Sequence, residues 1–197
     1  MLEVEVKSIV DDVERCRAAV EAAGATLVFS GLLEDRRYDT PDLALVAGDQ
    51  VLRVRVYRDA HSTRAEFGWK GPTRREDGYK LREEMETKVA DGEALAAILG
   101  ALGYVVTIAI DREIVQYDLD GTMIRFERYP RMDKLVEVEG TREQIERAIA
   151  VLGLPREGFT SDRLIDFVAR FEARTGSTAA LSHAALAGVD NFDVSNA

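Results

Sequence analysis

Charged and apolar residues alternate one for one along much of this chain, and that pattern restricts it to strands whose two faces differ sharply in polarity. Glu3-Val4-Glu5-Val6-Lys7 places Glu3, Glu5 and Lys7 on one face. In VLRVRVY (51–57), Arg53 and Arg55 share a face, with Leu52, Val54 and Val56 on the other. The run 80–88 aligns Lys80, Arg82, Glu84 and Glu86, and the run 134–139 aligns Glu137 and Glu139. Lys70 directly follows Trp69 at the end of the run 64–70. Further strands are predicted at 26–29, 104–110, 112–117 and 122–128. Turn signals such as Thr40-Pro41-Asp42, Asp77-Gly78 and Asp120-Gly121 separate them.

Four stretches switch to helical spacing: 11–23, stopped by Gly24; 91–102; 141–152, where Thr141 and Gln144 have capping-box spacing; and 161–174, with Ser161 and Asp162 at its start. Leu164, Ile165, Phe167, Val168 and Phe171 form the apolar stripe of the last. These helices must cover something, and the Val/Leu faces of the strands are the available partner. The charged faces then look at one another. The predicted fold is α+β: an eight-stranded antiparallel β-barrel with helices packed outside and a charged interior. One domain is expected over 1–175, followed by a mobile or weakly docked tail over 176–197.

The 197 residues carry 36 acidic and 26 basic side chains, a net charge of −10, which disfavours a generic binder of nucleic acid or anionic membrane. One cysteine excludes an internal disulfide framework, and no apolar run approaches the ~18 residues of a membrane span. The N-terminus reads as a strand rather than a signal peptide, so a cytoplasmic location is expected.

A barrel interior filled with carboxylates and guanidinium groups is costly unless it holds an ion-rich ligand. Carboxylate pairs at i, i+2 on separate strands are oxygen ligands for a hard divalent cation such as Mg²⁺ or Mn²⁺. Arginine forks and lysine point charges suit a chain of phosphates. Together they point to a metal–polyphosphate complex. A barrel carrying apolar cargo conflicts with so many inward charges.

Glu3-x-Glu5-x-Lys7 resembles the opening motif of the CYTH superfamily, the triphosphate tunnel metalloenzymes. Tyr38-Asp39-Thr40-Pro41 followed by Leu52-Arg53-Val54-Arg55 is similar to the family's "YDTPD…LRIR" region. Trp69-Lys70-Gly71-Pro72 and Tyr79-Lys80-Leu81-Arg82-Glu83-Glu84-Met85-Glu86 resemble its "YKGP…YKVREEIE". Asp111-Arg112-Glu113-Ile114 and Leu135-Val136-Glu137-Val138-Glu139 resemble its "RREIY" and "FVEIE" strands. The Lys-Gly-Pro and REExE wording is similar to the class IV adenylate cyclase branch rather than the thiamine-triphosphatase branch.

The resemblance implies a triphosphate-binding tunnel, often in a homodimer. It implies that Glu3, Glu5, Glu84, Glu86, Glu137 and Glu139 serve a divalent metal, Mg²⁺ or Mn²⁺. It assigns phosphate binding and catalytic electrostatics to Lys7, Arg53, Arg55, Lys70, Arg82 and Arg112, with Lys80 and Arg125 as further substrate contacts. The implied activity is conversion of ATP to cyclic AMP and pyrophosphate. The alternatives are hydrolysis of inorganic or organic triphosphates, thiamine triphosphate included, and non-catalytic triphosphate or polyphosphate binding. Two departures from the family pattern stand out. Ile110 occupies a position usually basic, for which Arg125 is the expected replacement, and Glu127, Arg131 and Asp133 alter the 126–135 segment. His61 and His183 are read as surface residues, Cys16 as core, and Arg74-Arg75 as an exposed turn near the tunnel mouth.

Overall fold

Among the described residues nine strands form, most of them from the alternating segments, and eight close into a barrel. The computed structural model describes residues 2–189. In chain order the strands are β1 (Leu2–Ile9), β2 (Thr26–Asp39), β3 (Val51–Arg58), β4 (Thr63–Lys70), β5 (Arg74–Glu76), β6 (Tyr79–Val89), β7 (Val105–Leu119), β8 (Thr122–Arg128) and β9 (Leu135–Glu139). The helices are α1 (Val13–Ala22), α2 (Ala44–Ala47), α3 (Gly92–Ala101), α4 (Arg142–Leu152), α5 (Leu164–Thr175) and α6 (His183–Leu186). The sheet order is β1-β9-β8-β7-β2-β3-β4-β6, and β1 pairs with β6 to complete an antiparallel ring. The short β5 only extends the hairpin off β6; Arg74 and Arg75, expected in a turn, are exposed but belong to this strand, because they pair with Leu81 and Lys80 across the Asp77-Gly78 turn.

The polarity of this barrel is inverted relative to an ordinary one. Val6, Val136, Val138, Ile124 and Phe126 face outward and are buried beneath Cys16 and Val20 of α1 and Ile145, Ile149 and Leu152 of α4. Leu99 of α3 covers Tyr38 and Val54 on another side. Removing these faces from water at roughly 25 cal/mol per Å² drives closure and leaves the alternate, charged positions inside. Helix α5 is placed differently: its Leu164, Phe167 and Val168 pack on Ile108, Ile110 and Leu135, which share the inward faces of β7 and β9 with Arg112 and Glu137, so the helix covers one end of the barrel. Asp12 and Asp91 cap α1 and α3, and Thr141 with Gln144 forms the expected capping box on α4.

Three differences from the sequence expectation have clear causes. The strand expected over 26–29 runs on to Asp39 as β2, because register shifts between Leu27/Phe29 and Arg37/Tyr38 break its alternation. The two runs 104–110 and 112–117 are halves of one strand, β7; Asp111 at its centre donates its N–H to the Leu181 carbonyl and pairs with Arg36 at 2.7 Å. Helix α5 begins at Leu164, not near Ser161, since Asp162 pairs with Arg170 and it is Asp166 that accepts from the Arg163 N–H.

Beyond α5, Ala180 bridges to Arg131 and Leu181 is buried under the same apolar cluster as α5. Residues 190–197 of the segment expected as a tail lie outside the described residues.

Candidate functional site

The barrel interior divides into two chambers of opposite charge. Among the described residues, nine Lys and Arg side chains but only four carboxylates line the first, which encloses about 130 Å³ and opens beside α2 and the start of α5. The second encloses about 700 Å³ and has five carboxylates (Glu3, Glu66, Glu84, Glu86 and Glu139) against three arginines, Arg55, Arg64 and Arg125. Arg55 faces both. The division follows from strand direction: along β1, Glu3 meets the wide chamber while Glu5 and Lys7 meet the basic one, and β9 splits Glu137 from Glu139 in the same way.

In the basic chamber most charges are already paired. Lys7 bridges Glu5 at 3.1 Å and also pairs with Glu137. Lys80 reaches Glu5 at 2.6 Å. Asp35 accepts from Arg55 at 3.3 Å and stands 3.6 Å from Arg112, whose other partner is Glu127 at 3.5 Å. Tyr129 donates to Glu127 at 2.6 Å and accepts from Arg112 at 3.3 Å. Burial works against the charged forms of Glu5, Asp35 and Glu137, yet their cations win. Lys7 and Lys80 hold Glu5, Arg55 and Arg53 hold Asp35, and Arg125 and Lys7 hold Glu137, all below the ordinary carboxylate range. The Nε–H groups of Arg37, Arg53 and Arg112 are buried without an acceptor. Each such donor costs about 1–3 kcal/mol until an anion or water meets it.

The acidic side carries the complementary stress. Burial and then Glu5 raise Glu3 despite Lys70, whose Nζ lies 2.6 Å from Glu3 Oε1. Burial, Glu3 and Glu137 push Glu139 up to about 7. Glu84 is held down by Lys70 and Arg53 against its burial, pairing with them at 3.1 and 2.6 Å. Glu86 stands 3.6 Å from Arg53 and 3.8 Å from Arg55. Among the described residues no three acidic, His or Cys side chains are already gathered to hold a metal ion. The donor chemistry nonetheless fits one. Glu3, Glu137 and Glu139 offer only hard oxygen ligands, Glu3 and Glu137 both repel Glu139, and a divalent cation would relieve that repulsion.

The mouth of the basic chamber is braced from the strands. The buried carboxylate of Asp39 accepts from the N–H groups of Leu45 at 2.9 Å and Val46 at 2.8 Å, fixing α2 over the rim. Arg82 donates to the carbonyls of Gly71 at 2.6 Å and Asp49 at 2.8 Å, and Trp69 Nε1 donates to Gln50 at 3.0 Å. Inside the wide chamber, Phe29, Leu33, Tyr57 and Ile114 form an apolar cluster with the Arg64 guanidinium 3.7 Å above the Tyr57 ring.

The CYTH domain family model matches residues 1–157. The chain belongs to the CYTH domain family. Solved structures agree at the level of fold. A candidate adenylate cyclase from Vibrio parahaemolyticus, 18% identical, superposes with a TM-score of 0.73 over 86% of this chain and 98% of its own. The PH1819 protein of Pyrococcus horikoshii, 20% identical, gives 0.69 over 85% and 98%. A candidate adenylyl cyclase of Hippeastrum, described as having a dominant triphosphatase activity, is 16% identical and gives 0.62 over 92% and 99%. No curated protein gives a significant match.

Within this CYTH barrel the residues singled out from the sequence all reach the interior, but in two groups. Lys7, Arg53, Lys70, Lys80, Arg82 and Arg112 line the basic chamber with Glu5 and Glu137. Glu3, Glu84, Glu86, Glu139 and Arg125 line the wide one. Arg82 is committed to backbone carbonyls, so it shapes the mouth. Ile110 shares the inward face of β7 with Arg112 but is covered by α5, and Arg125, the expected substitute for a basic residue there, pairs with Glu137 and, at 3.3 Å, with Glu127. Sequence reasoning missed Asp35, Arg37 and Tyr129, which line the basic chamber, and the partner role of Glu127. Asp35 and Arg37 lie on the part of β2 not expected to be a strand, and their two-residue spacing was the available signal. Among the described residues no helix is long and apolar enough to cross a membrane.

Proposed function

We propose that this protein acts on the triphosphate of a nucleotide with the help of Mg²⁺ or Mn²⁺, in the manner of a class IV adenylate cyclase. The carrying observation is the division of the barrel. A narrow cationic chamber suits the phosphate chain, and a wide chamber with Tyr57, Met85 and Met123 on its wall has room for a nucleoside. In that pose the α-phosphorus lies at the junction, beside Arg55 and the carboxylates.

Glu3, Glu137 and Glu139 would hold the metal, which when bound supplies charge neutralisation on phosphate oxygens. Lys7, Arg53, Arg55, Lys70 and Arg112 would grip the phosphates as point charges and forks, with Lys80 completing the rim. The ribose 3′-oxygen then attacks the α-phosphorus and pyrophosphate leaves, its developing charge met by cations already in place. Because Lys7 and Arg112 are preassembled in ion pairs, little reorganisation accompanies the reaction. The second reading is hydrolysis of a triphosphate by water. It is favoured by the small basic chamber, which recognises phosphate alone, and by the dominant triphosphatase activity described for the Hippeastrum protein of the same fold. A cytoplasmic location fits a nucleotide substrate and the single buried free cysteine.

The test is a product assay on ATP with Mg²⁺ and then Mn²⁺, read by phosphorus NMR. Cyclic AMP with pyrophosphate is the expected outcome. ADP with orthophosphate would replace the cyclase reading by the hydrolytic one. No turnover together with tight binding would leave a triphosphate receptor.

A further inference from the structure

Arg37 is placed differently from its cationic neighbours. Lys7, Arg53, Arg55, Lys70, Lys80 and Arg112 each stand within 4.0 Å of a carboxylate. Among the described residues Arg37 has no such ion pair, and its buried Nε–H has no acceptor. The register sets it directly opposite Arg53 on β3 and Ile108 on β7. Like charges facing one another across a strand pair are destabilising unless something negative sits between them. Asp35, the nearest acid on its own strand, is already shared by Arg55 and Arg112. Burial and the fields of Arg53, Arg112 and Arg55 bring the Arg37 guanidinium down to about 10. A protein that wanted only stability here would place an apolar or acidic side chain.

The neighbouring strand supplies the context. Ile110 lies opposite Asp35 and is sealed beneath Leu164 and Phe167, so β7 contributes no cation at that level of the chamber. We infer that Arg37 is a phosphate-binding residue, providing from β2 the positive charge that position 110 does not, and that it holds the end of the phosphate chain farther from the carboxylates. This rests on the reading of the basic chamber as a triphosphate site.

The test combines calorimetry with inorganic tripolyphosphate and thermal melts of the ligand-free protein, for wild type, Arg37→Gln and Arg37→Lys. Arg37→Gln is expected to bind at least about tenfold more weakly, the loss of one charge-assisted contact. Its ligand-free Tm is expected to match or exceed wild type, because a cation crowded by cations has been removed. Arg37→Lys should bind with intermediate affinity. Wild-type binding with Arg37→Gln unchanged would overturn the assignment of Arg37 alone. A lowered ligand-free Tm in Arg37→Gln would make Arg37 a structural cation and overturn it as well. Failure of the wild-type protein to bind tripolyphosphate would remove the triphosphate site itself, and Arg37 with it.

Discussion

Two acids, the buried Glu137 and the partly buried Glu139, lie two residues apart on β9 and experience opposite fields. Arg125 and Lys7 keep Glu137 ionised, whereas burial, Glu3 and Glu137 raise Glu139 to about 7. A carboxyl whose folded pKa lies above its unfolded value favours the fold when protonated. That contribution is complete below about 4.5, the unpaired Glu value, and is lost as pH rises through about 7. Glu139→Gln is therefore expected to raise the Tm of the metal-free protein by about 2–4 °C at pH 8, with little change at pH 4. Scanning calorimetry at the two values checks this, and a lower Tm at pH 8 would contradict it. Arg125 presents the reverse case, since Glu127 and Glu137 both depend on it. Arg125→Met takes one cation from each of two buried carboxylates, leaving Glu127 with Arg112 and Tyr129 and Glu137 with Lys7, and a loss of about 3–5 kcal/mol in urea unfolding is expected. A loss within about 0.5 kcal/mol, typical of an exposed position, would mean that the acids find other partners.

At the scale of elements, the mouth of the basic chamber depends on one carboxylate. Helix α2 is only four residues long and has no buried residue of its own, so Asp39 is what docks it. Asp39→Ala should cost about 1–2 kcal/mol and speed amide exchange at Leu45 and Val46, with the rest of the barrel unaffected. Helix α5 is held differently, by its apolar stripe, and Phe167→Ala is expected to cost about 3–5 kcal/mol by denaturant titration. These two elements also mark how far the sequence was legible. Strict alternation in β1, β3, β6 and β9 made both the strands and the inward residues readable, because a period of two fixes faces without knowledge of partners. The apolar stripe made α5 readable. The stretch Glu34-Asp35-Arg36-Arg37 was not, since it is charged on both faces and a register shift follows it. Its strand character comes from pairing with β3 and β7, which no local window contains. Asp39 was visible only as part of a turn-like motif, and its capping role depends on a helix too short to carry a periodic signal.

For the whole molecule, the governing fact is segregation of charge inside a protein that is acidic overall. A net charge of −10 argues against anion binding until the interior is examined. There the barrel concentrates cations at one end and carboxylates at the other, with Arg55 at the boundary. Outward hydrophobic faces under α1, α3 and α4, and the apolar end covered by α5, stabilise this arrangement, which the polar interior alone would not. The account accordingly places phosphate and metal in different but adjoining parts of one cavity. The most direct test is a crystal structure with Mn²⁺ and a methylene-bridged, non-cleavable ATP analogue, using anomalous scattering to locate the metal. The account predicts the phosphate chain among Lys7, Arg37, Arg53, Arg55 and Arg112, and the Mn²⁺ peak at Glu3, Glu137 and Glu139. Phosphates bound only to outer arginines, or a metal peak away from those three carboxylates, would contradict it.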